Sequence, residues 1–269
     1  MVLDVVIQFP RVEGLNPINT YLHPGLWLIG NEKQNGSIES NNLSVLELIT
    51  GHLKHHNLTS FKWVGKREIL QTYKLAETLS EQKNIRVQVV EAHQDYSVEQ
   101  LVNLPDKPVL LYPGHILTNA NFSRMINFHH SHNGLGTVLV SKGIQYRVGI
   151  AKVDPTNLKI TAFKEKPYDE NRSIYTGIVL LKEGWRSYLN SFLKVDWEPD
   201  TETRVLQYHG YRSSIDLFVD YLIKKSRIKA YVMDATEKNK KPWWINLSQL
   251  ETWRKLDTSI IFNNMKHLF

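Results

Sequence analysis

Apolar positions along the chain follow two periods. Short apolar runs predict strands at Leu3–Gln8, at "FKWVG" (61–65), at "IRVQVVEA" (85–92), at Val109–Tyr112 and at "GTVLVSKG" (136–143). Between them the spacing becomes helical. Leu43, Val45, Leu46, Leu48, Ile49 and Leu53 share one face of a predicted helix over Leu43–His56, with Asn57 ending it. A second helix is predicted over Arg67–Leu79, and a short one in "SVEQLVNL" with Ser97 as N-cap. A further helix begins at Asn121 or Ser123 and closes near Asn133-Gly134. Val109-Leu110-Leu111-Tyr112 lacks alternation, as a strand buried on both faces does.

The second half changes character. "YRVGIAKVD", "KITAFKEKP" and "YTGIVLLK" read as close-spaced antiparallel strands, with Tyr168–Ile174 as a loop. Helices follow at Trp185–Leu193 and Ile215–Lys225, then a strand at "IKAYVMD" and a terminal helix at "LSQLETWRKL". Strand and helix alternate in the first half, so the expected class is α/β. A mostly parallel central sheet would carry helices on both faces, with a smaller antiparallel lobe. We expect one domain over residues 1–269, with lobes at 1–140 and 141–269. Ligands of such sheets sit at the carboxyl ends of strands, and Gly114-His115 lies at one.

Composition narrows the function classes. Among 269 residues there is no cysteine, which excludes a disulfide framework, a thiolate metal site and a cysteine nucleophile. The net charge of +6 permits anionic ligands. The lysines are dispersed, with no basic cluster interleaved with aromatics, so nucleic acid is not an expected partner. No apolar run approaches the ~20 residues of a membrane span. "MVLDVVIQFP" reads as a strand rather than a leader. The expected location is the cytoplasm, with no membrane partner.

Glu165-Lys166-Pro167 directly follows a strand. Pro167 bends the chain. Glu165 accepts hydrogen bonds from hydroxyls and Lys166 donates to anions. A sugar-phosphate reader and a solvated charged turn both fit. Gly149 and Gly177 would let a ligand approach the backbone. Clustered histidines at His52, His55 and His56 and at His129–His132 lie at predicted helix C-termini, where a protonated imidazole is favoured. Of Trp243 and Trp244, one is expected in the core and one at a cleft mouth.

In order, the chain shows "LLYPGHILTN", "INFHHSHNGLGTVLV", "YRVGIAKVDPTNLKITAFKEKP", "YTGIVLL" and "PWWINLSQLETW". This order resembles the sugar-1-phosphate nucleotidyltransferases, which have a Rossmann-like, GT-A-like α/β fold. The likeness covers about Pro108–Leu256. It implies that residues 1–140 form the nucleotide side and 141–269 the sugar-phosphate side. It also implies that Glu165 contacts the sugar, that Lys166 contacts its phosphate, and that Gly149 and Gly177 line the sugar pocket.

The departures lie on the nucleotide side. The family places magnesium-binding aspartates where this chain has His115 and Asn246. Neither residue brings the negative charge that a hard cation prefers. The family's glycine-rich phosphate loop is also missing, with Arg11 and Gly14 as its remnant. The resemblance thus implies a catalytically degenerate protein that binds a sugar phosphate or a nucleotide. Alternatively it acts as the regulatory partner of an active homologue, in a homo- or hetero-oligomer, with no certain cofactor. The other reading is an active enzyme, with magnesium, a rearranged site and Asp106, Asp216 or Asp234 supplying carboxylate.

Overall fold

A computed structural model describes residues 3–9, 28–29, 43–65, 76–77, 80–81, 85–91, 98–145, 149–194, 215–234, 241–248, 252, 256 and 258–264. The chain starts with β1 (Asp4–Gln8), β2 (Leu28–Ile29) and β3 (Leu43–Ser44), then α1 (Val45–His55), β4 (Ser60–Gly65), β5 (Arg86–Glu91) and α2 (Glu99–Val102). Next come β6 (Val109–Pro113), β7 (Ile116–Thr118), α3 (Phe122–Ser131) and β8 (Gly136–Gln145). The rest is β9 (Ile150–Val153), β10 (Ile160–Lys164), β11 (Tyr168–Leu181), α4 (Trp185–Phe192), α5 (Ile215–Lys224), β12 (Ile228–Val232), β13 (Trp244–Asn246) and α6 (Thr258–Asn264).

Seven strands form one sheet in the order β12-β8-β11-β6-β1-β4-β5. Only β11 runs against its neighbours, pairing antiparallel with β6 and β8, while every other pair is parallel. The sheet draws strands from both halves of the chain. Three two-stranded pieces stand beside it: β9 with β10, β7 with β13, and β2 with β3.

Both faces are covered, and the side chains of each central strand divide between them. Val5, Ile7, Leu110 and Tyr112 point to a cluster shared with α1 and α3. Val6, Val109 and Leu111 point to one shared with α2, α4 and α5. All five residues of β6 are buried, which is why its sequence lacks alternation.

Local signals place the helices. Ser44 and Glu47 form a capping box on α1, with Ser44 Oγ accepting from the Glu47 N–H at 3.2 Å and Glu47 Oε2 accepting from the Ser44 N–H at 2.6 Å. Asn57, at φ 62°, ends the segment in the left-handed region. Asn121 Oδ1 caps α3 by accepting from the Arg124 N–H at 3.0 Å. The residue before α2 is Val98, with no side-chain cap; Ser97 lies outside the described residues. So do most of the helix expected at Arg67–Leu79 and of the one expected at "LSQLETWRKL". The segment Tyr168–Ile174, expected as a loop, is instead the first part of the 14-residue strand β11. Tyr168, Asp169, Ser173 and Ile174 pair with Gln145, Ile144, Lys142 and Ser141 of β8, backbone partners that a polar sequence cannot advertise.

Gly177 sits inside β11 at φ 83°, where the register with β8 shifts between Tyr175 and Val179. A bulge with left-handed backbone favours glycine. Gly177→Ala is expected to lower unfolding free energy by about 1–2 kcal/mol. Urea titration checks this, and an unchanged midpoint would show that the backbone there does not need glycine.

Candidate functional site at the carboxyl edge of the sheet

The end of β6 is shaped by close packing. The Gly114 N–H donates to Gln8 O at 2.7 Å. A Cβ on Gly114 would lie 3.1 Å from Gln8 O and 3.3 Å from the Phe9 ring. Tyr112 Oη donates to Ile116 O at 2.9 Å and closes the turn. The chain then leaves the main sheet as β7 and pairs antiparallel with β13, setting Thr118 against Trp244, Leu117 against Ile245 and Ile116 against Asn246.

Further bonds fix this seam. The Leu247 N–H donates to His115 O at 2.9 Å, and the Asn119 N–H to Trp243 O at 3.3 Å. Thr118 Oγ1 donates to Trp243 O at 2.8 Å, while Asn119 exchanges bonds with Lys241 O at 3.0 Å and the Trp243 N–H at 2.8 Å. His115 and Asn246, far apart in sequence, therefore lie in adjacent strand ends.

Their chemistry does not suit magnesium. His115 is half-buried, and its Nδ1 is sealed without a hydrogen-bond partner among the described residues. Burial lowers its pKa to about 4, so the ring is neutral at pH 7. Asn246 Oδ1 accepts from the Ser248 N–H at 2.8 Å and so closes a local turn. One neutral imidazole and one committed amide bring no charge to a hard cation.

The three carboxylates considered as replacements are Asp106, Asp234 and Asp216. Asp106 accepts from the Gly184 N–H at 2.9 Å and caps α4. Asp234 pairs with Arg124 and accepts from Tyr231 Oη. Asp216 lies exposed in the first turn of α5. Among the described residues, no three His, Asp or Glu side chains converge as a metal site. Arg11 and Gly14 lie outside the described residues.

A second cluster forms around the Glu165-Lys166-Pro167 link, on the β9–β10 hairpin. A Cβ on Gly149 would lie 2.6 Å from Phe163 Cζ and 3.0 Å from Glu165 Oε2. Glycine is what lets ring and carboxylate close over that backbone. Lys166 Nζ lies 3.9 Å from Glu165 Oε1, and both side chains are over 60% exposed at 61% and 64%. At that exposure the pair itself adds little stability. Lys166 has φ 42° although a proline follows, a backbone state that costs a non-glycine residue energy.

Gly177 lies in the bulge of β11, two residues before the Val179–Leu111 pair with β6. From Gly177 to Tyr168, next to the hairpin link, extended chain spans up to roughly 30 Å. The structure thus joins Gly149 to Glu165 and Lys166, joins His115 to Asn246, and places Gly177 in the β11 bulge.

The histidines differ from the expectation of protonated helix ends. His129 is 1% exposed and its Nδ1 lies 2.8 Å from Thr137 Oγ1. Burial, then Lys182 and the neighbouring histidines, lower its pKa to about 3. Desolvation outweighs the helix-end field here. His52 is also buried, with Nε2 2.9 Å from Ala120 O. Both Trp243 and Trp244 are partly buried against the core, so neither belongs wholly to core or cleft mouth.

A family model described as nucleotidyl transferase matches residues 65–214, more than half of the chain. The chain belongs to this family. The matched stretch holds His115, Gly149, Glu165, Lys166 and Gly177 but not Arg11 or Asn246. Among solved structures, the fold is similar to that of a putative glucose-1-phosphate thymidylyltransferase from Bacillus anthracis, in complex with a sucrose. The TM-score is 0.62 at 13% identity, over 94% of this chain and 92% of that one. No curated protein matches the chain. No helix among the described residues is long and apolar enough to cross a membrane.

The folded pKa of His115 lies below its usual 6.5, so the unfolded chain binds the proton more tightly. Stability is then lost as pH falls from 6.5 towards 4. At pH 5 the loss from this group is about 2 kcal/mol relative to pH 7. His115→Gln should remove that part of the acid sensitivity. Urea titrations at both pH values decide it, and identical losses in the two proteins would show that His115 is free to take a proton when folded.

Proposed function

We propose that this nucleotidyl transferase family member binds a sugar phosphate without carrying out nucleotidyl transfer at an ordinary rate. It acts as a sensor or as the non-catalytic partner of an active homologue. The observation that carries this reading is the seam. It sets two adjacent residues, His115 and Asn246, where the resemblance implies magnesium carboxylates, and neither supplies charge. Glu165 and Lys166 supply the sugar and phosphate contacts over the Gly149 backbone. The left-handed backbone at Lys166 favours this reading over a plain charged turn, because strain persists where the surroundings impose it.

Purified protein is incubated with each nucleoside triphosphate, a panel of sugar 1-phosphates and magnesium, with pyrophosphate release as readout. Turnover near or above ~1 s⁻¹, within the ordinary range of enzymes, would sink the proposal. Thermal shift with the same compounds separates the alternatives. A sugar phosphate at 100 times its Kd should add about 2.7 kcal/mol, and nucleotides should add none. Stabilisation by nucleotide with magnesium would favour the active enzyme.

Lys166→Gly separates binding from stability. Glycine accepts the left-handed backbone, so the variant should keep its stability or gain up to about 1 kcal/mol. It should also lose the sugar-phosphate response. A variant that responds like the parent removes Lys166 from the phosphate site.

Restoring both carboxylates tests the positions themselves. His115→Asp with Asn246→Asp should lower stability without metal, since two like charges would face each other. Adding ~10 mM magnesium should recover it in the variant and leave the parent unchanged. Calorimetry with and without magnesium reads this directly, and no metal-dependent gain would mean that the two positions do not form a cation site.

A further inference from the structure

The opposite edge of the sheet holds a cavity of about 280 Å³ that the proposed function does not use. It lies about one strand length, roughly 17 Å, from the His115 edge. Leu3, Leu58, Ile126 and Leu180 give it an apolar lining, and His56 and His129 are among its polar groups. None of its described lining residues is Asp, Glu, Lys or Arg. At ~30 Å³ per water it holds about nine waters, enough for a small organic molecule.

The hydrogen bonds behind His129 fix which ring nitrogen carries its proton. The Gly134 N–H donates to His132 Nδ1 at 3.0 Å, so that nitrogen is an acceptor. Neutral His132 must then carry its proton on Nε2, which lies 2.8 Å from Thr137 Oγ1 and donates to it. The Thr137 hydroxyl is left to donate to His129 Nδ1, also at 2.8 Å. His129 therefore carries its proton on Nε2. That atom is buried and has no hydrogen-bond partner among the described residues. An unmet donor beside a cavity without charge calls for an acceptor that the protein does not supply.

We propose that this cavity binds a small uncharged molecule, apolar over most of its surface, that offers one hydrogen-bond acceptor such as a carbonyl oxygen to His129 Nε2–H. Because Nε2 is sealed, the ring has to turn about the Cβ–Cγ bond for its N–H to meet the ligand, which loosens the Nδ1–Thr137 Oγ1 bond. A charged ligand is disfavoured because no lining group compensates its desolvation. The inference is independent of the sugar-phosphate reading, since it concerns the other edge of the sheet.

The test uses the full chain labelled with ¹⁵N in histidine and two ring molecules of similar shape. N-methyl-2-piperidone is neutral and presents a carbonyl, whereas N-methylpiperidinium is a cation with no acceptor. Nitrogen–proton correlation spectra at pH 7 follow the His129 signals. The expected result is a saturable shift with the piperidone, at least tenfold weaker with the piperidinium. His129→Leu should weaken piperidone binding tenfold or more, and His129→Gln, which keeps a donor, should restore it to within about threefold. If His129→Leu fails to fold, the two titrations of the parent protein decide alone. No saturable shift at His129, or equal response to both molecules, overturns the proposal and leaves the cavity to solvent.

Discussion

Burial of the central strands on both faces is the constraint from which the rest of this structure follows. β1 and β6 alternate their side chains between two separate clusters, and apart from Asp4 at the start of β1 every residue of both strands is buried. Each fully buried aliphatic side chain contributes about 1.5–3 kcal/mol, so the sheet and its two helical layers hold together as a unit. Two-sided burial also removes the usual guard against register slip. Where both faces are apolar, a shift of one residue exchanges one apolar set for another. Close glycine contacts supply the missing specification. A Cβ on Gly136 would lie 2.6 Å from Ile228 and 2.9 Å from Leu181, and Gly114 is pressed against β1.

The site inherits its geometry from that rigidity. β6 cannot continue past Gly114, so the chain turns out of the sheet and offers β7 as a free edge. β13 occupies it, and the side chains of Thr118 and Asn119 reinforce the pairing with bonds to Trp243 and Lys241. Positions 115 and 246 are neighbours because of this backbone seam, whatever residues occupy them. A neutral sealed imidazole and an amide bonded to its own turn contribute to structure and bring no charge.

Electrostatics in this chain is set by burial as much as by sequence charge. A net charge of +6 describes the surface, but the ionisable groups nearest the core behave as neutral polar atoms. Desolvation lowers the pKa of His115, His129 and His132. Arg124, Tyr231 and Asp234 by contrast form a compact, partly exposed group that ties the start of α3 to the end of β12. The charged Glu165–Lys166 link lies out on its hairpin, where solvent screens the pair.

The sequence by itself determined the α/β alternation, the doubly buried β6, the end of α1 at Asn57, the start of α3 near Asn121, and the order of motifs that points to the family. These are local signals: a period, a capping side chain, a run of apolar residues. The start of α1 was expected at Leu43, whereas Leu43–Ser44 is strand and the Ser44–Glu47 capping box begins the helix at Val45. Pairing between distant segments was not legible, because backbone hydrogen bonds leave no trace in side-chain pattern. Tertiary structure alone decided that polar Tyr168–Ile174 is strand, since β8 supplies its partners. It alone placed Asn246 beside His115, closed Phe163 and Glu165 over Gly149, and buried His129 against Thr137. A histidine at a helix end reads as a cation until a sheet packs over it and desolvation reverses the preference.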